Sequence, residues 1–291
     1  NAFPSVAELV PDIYDFWMAM ERKYHIDPEY MSSQDIITVS MRKKLLNWIV
    51  RVHAKFQLVS ETLYLTTRII DSFLEKQTTI TADKLQLVGV TALLIASKYE
   101  DIYPPTMDEL EAITACTYNR MDIEEMEKSM LATLEFRISG LAVTALSFLK
   151  LYSKMASADV SAHQFAFYLC ERAQLEYDML KFPPSILASA ALSLSLSYYS
   201  VSDALVMFKL QQAPSLAEFI RDTLQKGSAE VVSYTHYTMS SLTECIPGDR
   251  HSKKMFVFSQ FCGSGPLLKS GLGRRGFKAR TTKARTTCVP S

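Results

Sequence analysis

Residues 41–74 read MRKKLLNWIVRVHAKFQLVSETLYLTTRIIDSFL, and their pattern gives the strongest indication of the fold class. Its apolar side chains recur every three to four residues, which favours α-helices over strands. On a helical wheel the apolar residues of 41–56 cover an arc of roughly 200°, wider than the arc of about 100° that packs one surface helix. This helix is therefore either the centre of a bundle or the carrier of an exposed apolar patch.

The same periodicity continues on both sides of this stretch, and strand patterns are nearly absent. We predict a short first helix that starts at Pro11 and ends near His25. Five further helices are predicted at residues 35–56, 60–76, 81–99, 106–115 and 122–136. About five more follow at residues 142–155, 161–177, 183–199, 202–209 and 215–237. The pattern indicates an all-α fold made of two five-helix bundles in tandem, preceded by a short N-terminal helix.

Polar residues and helix breakers predict the ends of these helices. Ser60, Thr81 and Asp122 each stand before an apolar periodic segment and are predicted N-caps. Gly140 is predicted to stop a helix or form a turn. We divide the chain into four parts: an N-terminal helix and linker at 1–34, a first bundle at 35–138, a second at 139–245, and a tail at 246–291.

The charge is balanced overall but unevenly distributed. The chain carries 31 basic and 31 acidic residues, which favours neither a membrane nor nucleic acid as the main partner. Ten of the basic residues but one of the acidic residues follow position 246, together with six of the nine glycines. We expect this basic tail to be disordered.

No segment of the sequence combines the spacing and the context of a catalytic or metal-binding motif. The segment GLGRRG at 271–276 matches the GxGxxG spacing, but it follows no strand and has no acidic residue after it. The histidines do not pair at metal-ligand spacing, and the cysteines form no CxxC pair. His53 is better interpreted as a core histidine that donates to a backbone carbonyl. We therefore expect no cofactor, no metal and no catalytic residues, and no enzyme activity.

A second informative segment is ASKYEDIYPP at residues 96–105. Here a very apolar helix ends in a cation, two carboxylates and two tyrosines. Lys98 suits the negative end of the helix dipole, and the two prolines end the helix. Neither effect accounts for Tyr99 and Tyr103 on each side of the acids. Amphipathic clusters on rigid helix ends are common binding hot spots.

These segments resemble the cyclin family. MRKKLLNWIVRVHAKFQLVSETLYLTTRIIDSFL looks like the opening of a cyclin box, and KLQLVGVTALLIASKYEDIYPP looks like its third helix and exit. LEYDM at 175–179 with FPPS at 182–185 is similar to the second box of B-type, mitotic cyclins. The resemblance runs from about residue 11 to about residue 245. It implies tandem cyclin boxes that bind and activate a cyclin-dependent serine/threonine kinase as a heterodimer, with a role at G2/M and a nuclear and cytoplasmic location.

The resemblance also implies two binding sites. Lys98 and Glu127 match the family's charged pair that contacts the kinase. Neighbouring interface positions are matched by Tyr99, Glu100, Asp101 and Phe136. A separate patch that binds linear docking motifs of substrates or inhibitors is matched by Met41, Leu45, Trp48, Arg51, Leu85 and Gln86.

The docking patch departs from the family's usual charges. Lys44 stands where an apolar residue is common, Asn47 where an acid is common, and Arg51 where Glu or Gln is common. Two added cations and one lost acid should disfavour basic docking peptides through like-charge repulsion. We predict that this patch prefers neutral or acidic motifs, or is unused.

Two other interpretations remain open at this point. A tandem cyclin-like fold of the basal transcription type would bind promoter DNA, and it predicts a basic face within the boxes. A helical-repeat scaffold without a kinase partner predicts similar packing, with no hot spot at residues 98–101.

Overall fold

The computed structural model describes residues 9–198, which all lie in one compact unit. Every regular element in this range is a helix, so the predicted all-α fold class is confirmed. The α-helices are α1 (Val10–Lys23), α2 (Val39–Phe56), α3 (Ser60–Lys76), α4 (Leu85–Glu100), α5 (Met107–Ile113), α6 (Arg120–Thr133), α7 (Ile138–Leu141), α8 (Ala145–Met155), α9 (Val160–Leu175) and α10 (Pro184–Tyr198). Short 3-10 turns lie at Tyr30–Ser33, Ala82–Lys84 and Tyr177–Lys181.

α4 is the central helix of the first bundle. Every residue from 87 to 97 is buried, and α2, α3 and α6 pack around it. Gly89 allows α2 to come close, because a Cβ atom at this position would lie 2.6 Å from Cδ1 of Leu45 and 3.3 Å from Cδ1 of Ile49. Gly89 therefore sets the distance between α4 and α2, as expected for a helix surrounded by others.

The wide apolar arc of α2 is used mainly for this packing. One part is buried in the core, and the rest is partly buried against the same core. The buried residues are Leu45, Leu46, Ile49 and Val52, and the partly buried ones are Met41, Trp48, Val50 and Phe56. His53 is half-buried, and its Nε2 lies 2.8 Å from the carbonyl oxygen of Val59, which confirms the predicted backbone partner.

A buried ion pair joins α2 to α3, and sequence analysis did not predict it. Arg42 and Asp71 are each 1% exposed. The guanidinium donates from Nε to Oδ1 at 2.6 Å and from Nη2 to Oδ2 at 2.7 Å. The Tyr30 hydroxyl donates to Oδ1 of the same carboxylate at 2.9 Å. This bidentate geometry fixes the position of α2 relative to α3.

The second bundle is described as far as α10, and α1 packs against it. Tyr14 and Trp17 of α1 meet the ring of Phe148 edge-on, at centroid distances of 6.3 Å and 5.6 Å. Buried Glu21 accepts hydrogen bonds from the backbone N–H of Ser185 at 2.7 Å and from its hydroxyl at 2.8 Å. A carboxylate at the start of α10 is favourable because helix N-termini carry unpaired N–H groups.

Several predicted helix ends differ from the structure. The second helix begins at Val39 rather than at 35, because Thr38 is the N-cap and its Oγ1 accepts a hydrogen bond from the Met41 N–H at 3.3 Å. Asp122 is not an N-cap. Asn119 is, and the two side chains bond reciprocally to each other's backbone N–H at 3.1 Å and 2.8 Å. The first helix ends at Lys23, close to the predicted end.

Three other local predictions also need revision. Ser60 is the first helical residue of α3 and not its cap, which is Val59. Thr81 precedes a 3-10 turn, and α4 starts only at Leu85. Gly140 does not stop a helix but lies inside α7, where a Cβ atom would overlap the ring of Tyr24. The helices predicted at 202–209 and 215–237, the basic tail and the segment 271–276 all lie outside the described residues.

Candidate functional site

The C-terminal end of α4 is joined to α6 by an ion pair. Lys98 Nζ lies 2.7 Å from Oε1 and 2.9 Å from Oε2 of Glu127. The Lys98 side chain is 46% exposed and that of Glu127 is 16% exposed. Exposed pairs of this kind add little to stability, about 0–1 kcal/mol. The pair therefore contributes little to stability, and its Lys98 side chain is accessible at the surface.

Large apolar side chains surround this helix end in sequence and are unusually exposed. Tyr99 is 50% exposed, Ile102 is 87% exposed and Tyr103 is 88% exposed. Such exposure is unfavourable for an isolated monomer and marks surfaces that bind another protein. Ile102 is an addition to the predicted site, and the sequence signal for it is its place between Tyr99 and Tyr103, shortly before the two prolines that end the segment.

Phe136 is presented by an unusual backbone turn at the end of α6. Glu135 and Phe136 both have left-handed conformations, with φ of 52° and 56°. The turn is closed by a hydrogen bond from the Phe136 N–H to the carbonyl of Leu131 at 2.8 Å. As a result the Phe136 side chain is 71% exposed. A left-handed conformation costs about 1–2 kcal/mol for each residue other than glycine. Contacts elsewhere in the fold must therefore offset the cost of this turn.

The two acids that follow Tyr99 have different surroundings. Glu100 is half-buried, and burial together with the nearby charges of Glu61 and Asp101 raises the pKa of Glu100. Asp101 is engaged within the chain. Its Oδ1 accepts from the N–H of Val59 at 2.9 Å, and its Oδ2 accepts from the hydroxyl of Thr62 at 2.5 Å. These two hydrogen bonds attach Asp101 to the start of α3.

The residues of the predicted docking patch lie at different depths. Leu45 and Leu85 are core residues, each 6% exposed. Met41, Trp48 and Gln86 are half-buried, while Arg51 is exposed. The accessible part of this patch is therefore the Met41, Trp48 and Gln86 surface, with the two leucines beneath it.

The charges around this patch are cationic. Lys44 and Arg51 are exposed, and neither forms an ion pair within residues 9–198. Lys43 is different, since its Nζ lies 2.7 Å from Oε1 of Glu176 in the second bundle. Asn47 turns back on α2 and donates to the carbonyl of Lys43 at 2.9 Å. Lys44 and Arg51 therefore make the exposed surface around Trp48 positively charged.

The described part of the chain contains neither a metal-binding cluster nor a membrane-spanning helix. Within 9–198, no group of three or more His, Cys, Asp or Glu side chains is arranged to hold a metal ion. In the same range, none of the helices combines the length and the apolar character needed to cross a bilayer.

Comparison with protein families identifies the architecture. The family described as "Cyclin, N-terminal domain" matches residues 12–139, and "Cyclin, C-terminal domain" matches residues 143–247. The chain belongs to the cyclin family. The predicted resemblance is thereby confirmed, and the junction between the two matches places α8 to α10 of this cyclin in the second box. The exact domain boundaries that we gave from the sequence stay a prediction.

Among the proteins similar to this cyclin are B-type and G2/mitotic-specific cyclins. It is 37% identical to Cyclin-B2-1 of Arabidopsis thaliana over 90% of this chain and 54% of that protein. It is 34% identical to G2/mitotic-specific cyclin-2 of Medicago sativa over 96% of this chain and 77% of that protein. The chain spans about half the length of Cyclin-B2-1 proteins from Arabidopsis and rice. The predicted similarity to mitotic cyclins is confirmed.

A solved structure supports the fold. A viral cyclin from herpesvirus saimiri superposes with a TM-score of 0.62 at 20% identity, over 75% of this chain and 96% of that chain. The two helical bundles of the described region therefore have the tandem arrangement of a cyclin.

Proposed function

We propose that this chain is the regulatory subunit of a cyclin-dependent serine/threonine protein kinase, which it binds and activates at G2/M. Membership of the cyclin family and similarity to mitotic cyclins support this function. The observation that carries the site is the Lys98–Glu127 pair at the end of α4, next to Tyr99, Ile102 and Tyr103 on the exposed surface.

The chemistry of activation follows from what such a surface can supply. In protein kinases a mobile helix carries the glutamate that pairs with the catalytic lysine, and the activation loop must be ordered. A rigid apolar surface that covers this helix holds it in the active position and shifts the kinase to its active state. In this proposal the cyclin contributes binding energy and performs no catalysis itself.

The experiment is to mix the chain with candidate cyclin-dependent kinases and to measure phosphorylation of a short peptide that lacks any docking motif. The variant is Lys98→Ala with Glu127→Ala. Its matched control is Lys43→Ala with Glu176→Ala, because that pair has the same 2.7 Å and 2.9 Å distances and a lysine that is also 46% exposed. Activation of no kinase would refute the function. Full activity in the Lys98 variant would refute the site.

We further propose that the docking patch contributes to substrate choice and prefers neutral or acidic motifs. The exposed cations Lys44 and Arg51 beside half-buried Trp48 support this preference. Peptide arrays should show weak binding of Arg-rich motifs, and Lys44→Glu with Arg51→Glu should restore it. Tight binding of Arg-rich peptides that Trp48→Ala abolishes would contradict the proposal.

A nuclear and cytoplasmic location belongs to the same proposal, since both are compartments in which a mitotic kinase acts. Imaging of a fluorescent fusion through one division cycle tests it, and confinement to any other compartment would exclude it.

A further inference from the structure

A small cavity lies where the two bundles meet, away from α4 and α6. It has a volume of about 70 Å³ and is lined by α2, α3, the start of α8 and the end of α9. Exposed His25 also lines it, so the cavity reaches the surface on that side. A water molecule has a share of about 30 Å³ in the liquid, so there is room for two waters or for one small ion.

The lining of this cavity contains three buried N–H donors without acceptors. They are Nη1 of Arg42, Nε of Arg68 and Nε2 of Gln174, and no partner for them is found in the described part of the chain. Arg42 is only 1% exposed. Buried donors are almost always paired, because an unpaired one loses its bond to water without replacement. Three of them around one space indicate that an acceptor belongs there.

The charges in the lining favour a negatively charged acceptor. Its two carboxylates are already neutralised: Asp71 is bound by Arg42 and Tyr30, and Glu176 by Lys43. Arg68 donates to the backbone carbonyl of Tyr24 at 2.7 Å and has no carboxylate in contact within residues 9–198. Burial lowers the pKa of Arg68, and the nearby negative charges of Asp71, Glu21 and Glu75 only partly oppose this effect.

The start of α8 adds to this preference. Thr144 and Ala145, the N-cap and first residue of α8, both line the cavity. Helix N-termini attract anions through unpaired N–H groups and the helix dipole. At the neighbouring start of α10, the carboxyl oxygens of Glu21 accept hydrogen bonds from the N–H and the hydroxyl of Ser185.

We infer that this cavity binds a small oxyanion, either a free phosphate-type ion or a carboxylate group. The anion would accept from Arg42, Arg68 and Gln174 at once and so link α2 and α3 of the first box to α9 of the second. This inference is independent of the proposed kinase interface, because none of its residues belongs to that surface.

The test is an NMR titration of the full 291-residue chain, in which the side-chain Nε–H signal of Arg68 and the amide signal of Gln174 are followed. Sodium phosphate is one arm, sodium acetate the second, and sodium chloride at equal ionic strength the reference. We expect a saturable shift of both signals with phosphate, acetate or both, and none with chloride. The arm that saturates at the lower concentration identifies the type of oxyanion.

Variants confirm the position of the ion. Gln174→Met keeps the volume and removes one donor, and it should weaken binding about tenfold, as the loss of one hydrogen bond to a charged group does. Arg120→Gln, which alters an exposed cation outside the cavity, should leave the affinity unchanged. No saturable shift would overturn the inference in favour of ordered water alone. Equal affinity in Gln174→Met and the parent chain would overturn it as well.

Discussion

Asp101, at the end of α4, accepts a hydrogen bond from the hydroxyl of Thr62 in α3, with 2.5 Å between Oδ2 and the hydroxyl oxygen. The other carboxylate oxygen accepts from the N–H of Val59, directly before α3. Asp101→Ala should therefore lower the free energy of unfolding by about 1–2 kcal/mol, as the loss of a cap does. Urea unfolding followed by circular dichroism measures it.

Thr62→Val is the matched control for this prediction, since it removes only the hydroxyl bond. It should cost less than Asp101→Ala, because the bond to Val59 remains. If Asp101→Ala unfolds at the same urea concentration as the parent chain but no longer activates the kinase, Asp101 acts at the interface instead of in the fold.

Gly89→Ala should destabilise the protein although alanine is the better helix former. The helix preference favours alanine by about 1 kcal/mol. Against this, the new Cβ atom would lie 2.6 Å from Cδ1 of Leu45, and crowding a packed core costs about 1–3 kcal/mol. The net loss should be about 1 kcal/mol, within a range of about 0–2 kcal/mol, in urea unfolding. Leu45→Val in the same chain should recover part of it, and a more stable Gly89→Ala variant would show that α2 can move.

Asp71→Ala should be among the most damaging single changes in the first box. It leaves the Arg42 guanidinium buried without its carboxylate, a change that costs about 3–5 kcal/mol. Arg42→Met combined with Asp71→Leu removes both charges and should cost much less. Thermal unfolding of the three chains compares them. Equal losses in the single and double variants would show that packing, and not charge, dominates at this site.

Glu21 should make stability depend on pH in a direction opposite to that of most carboxylates. Burial raises the pKa of Glu21 above 4.5, although the bonds from Ser185 and the nearby arginines oppose the rise. The folded state then binds the proton more tightly than the unfolded state. Its contribution is present below pH 4.5 and is lost as the pH rises through the folded pKa.

Glu21→Gln isolates this effect, because the amide is neutral at every pH. The free energy of unfolding of the parent chain, relative to this variant, should fall as the pH rises from below 4.5 to neutrality. Urea titrations at a series of pH values measure the difference. A difference that increases with pH would mean that the Ser185 bonds outweigh burial.

Phe136→Ala should separate binding from folding. The side chain is 71% exposed, so its removal should change the free energy of unfolding by less than about 0.5 kcal/mol. If Phe136 is an anchor of the kinase interface, affinity should fall about tenfold or more in calorimetry. Met121→Ala, which removes another exposed side chain from α6, is the control and should bind as the parent chain does.

The extent to which sequence predicts this molecule differs between local and distant features. The range 60–76 was predicted for α3 and is observed, because its apolar period and its ends are local properties. The start of α6 was misplaced, since both Asn119 with Asp122 and Asp122 with Glu125 have capping-box spacing. Periodicity alone does not choose between two overlapping caps, and the reciprocal bonds of Asn119 do.

Contacts between residues far apart in sequence are harder to predict than helix ends. Arg42 lies among apolar residues on the helical wheel of α2, which indicates a buried charge that needs a partner. That partner, Asp71, is 29 positions away, so the local pattern does not identify it. Lys98 and Glu127 were paired through resemblance, and the structure brings their charged atoms to 2.7 Å. The three unpaired donors around the cavity come from three different helices, so no local pattern could have indicated them.

The turn at Glu135 and Phe136 fixes the position of the Phe136 side chain in the free chain. Because two left-handed residues and the bond to Leu131 already fix the backbone, Phe136 is displayed before any partner arrives. A binding site that is ordered in advance loses less conformational entropy on association, so more of its contact energy appears as affinity. In the proposed kinase complex, the conformational cost of presenting Phe136 therefore falls on the folding of the free chain and not on binding.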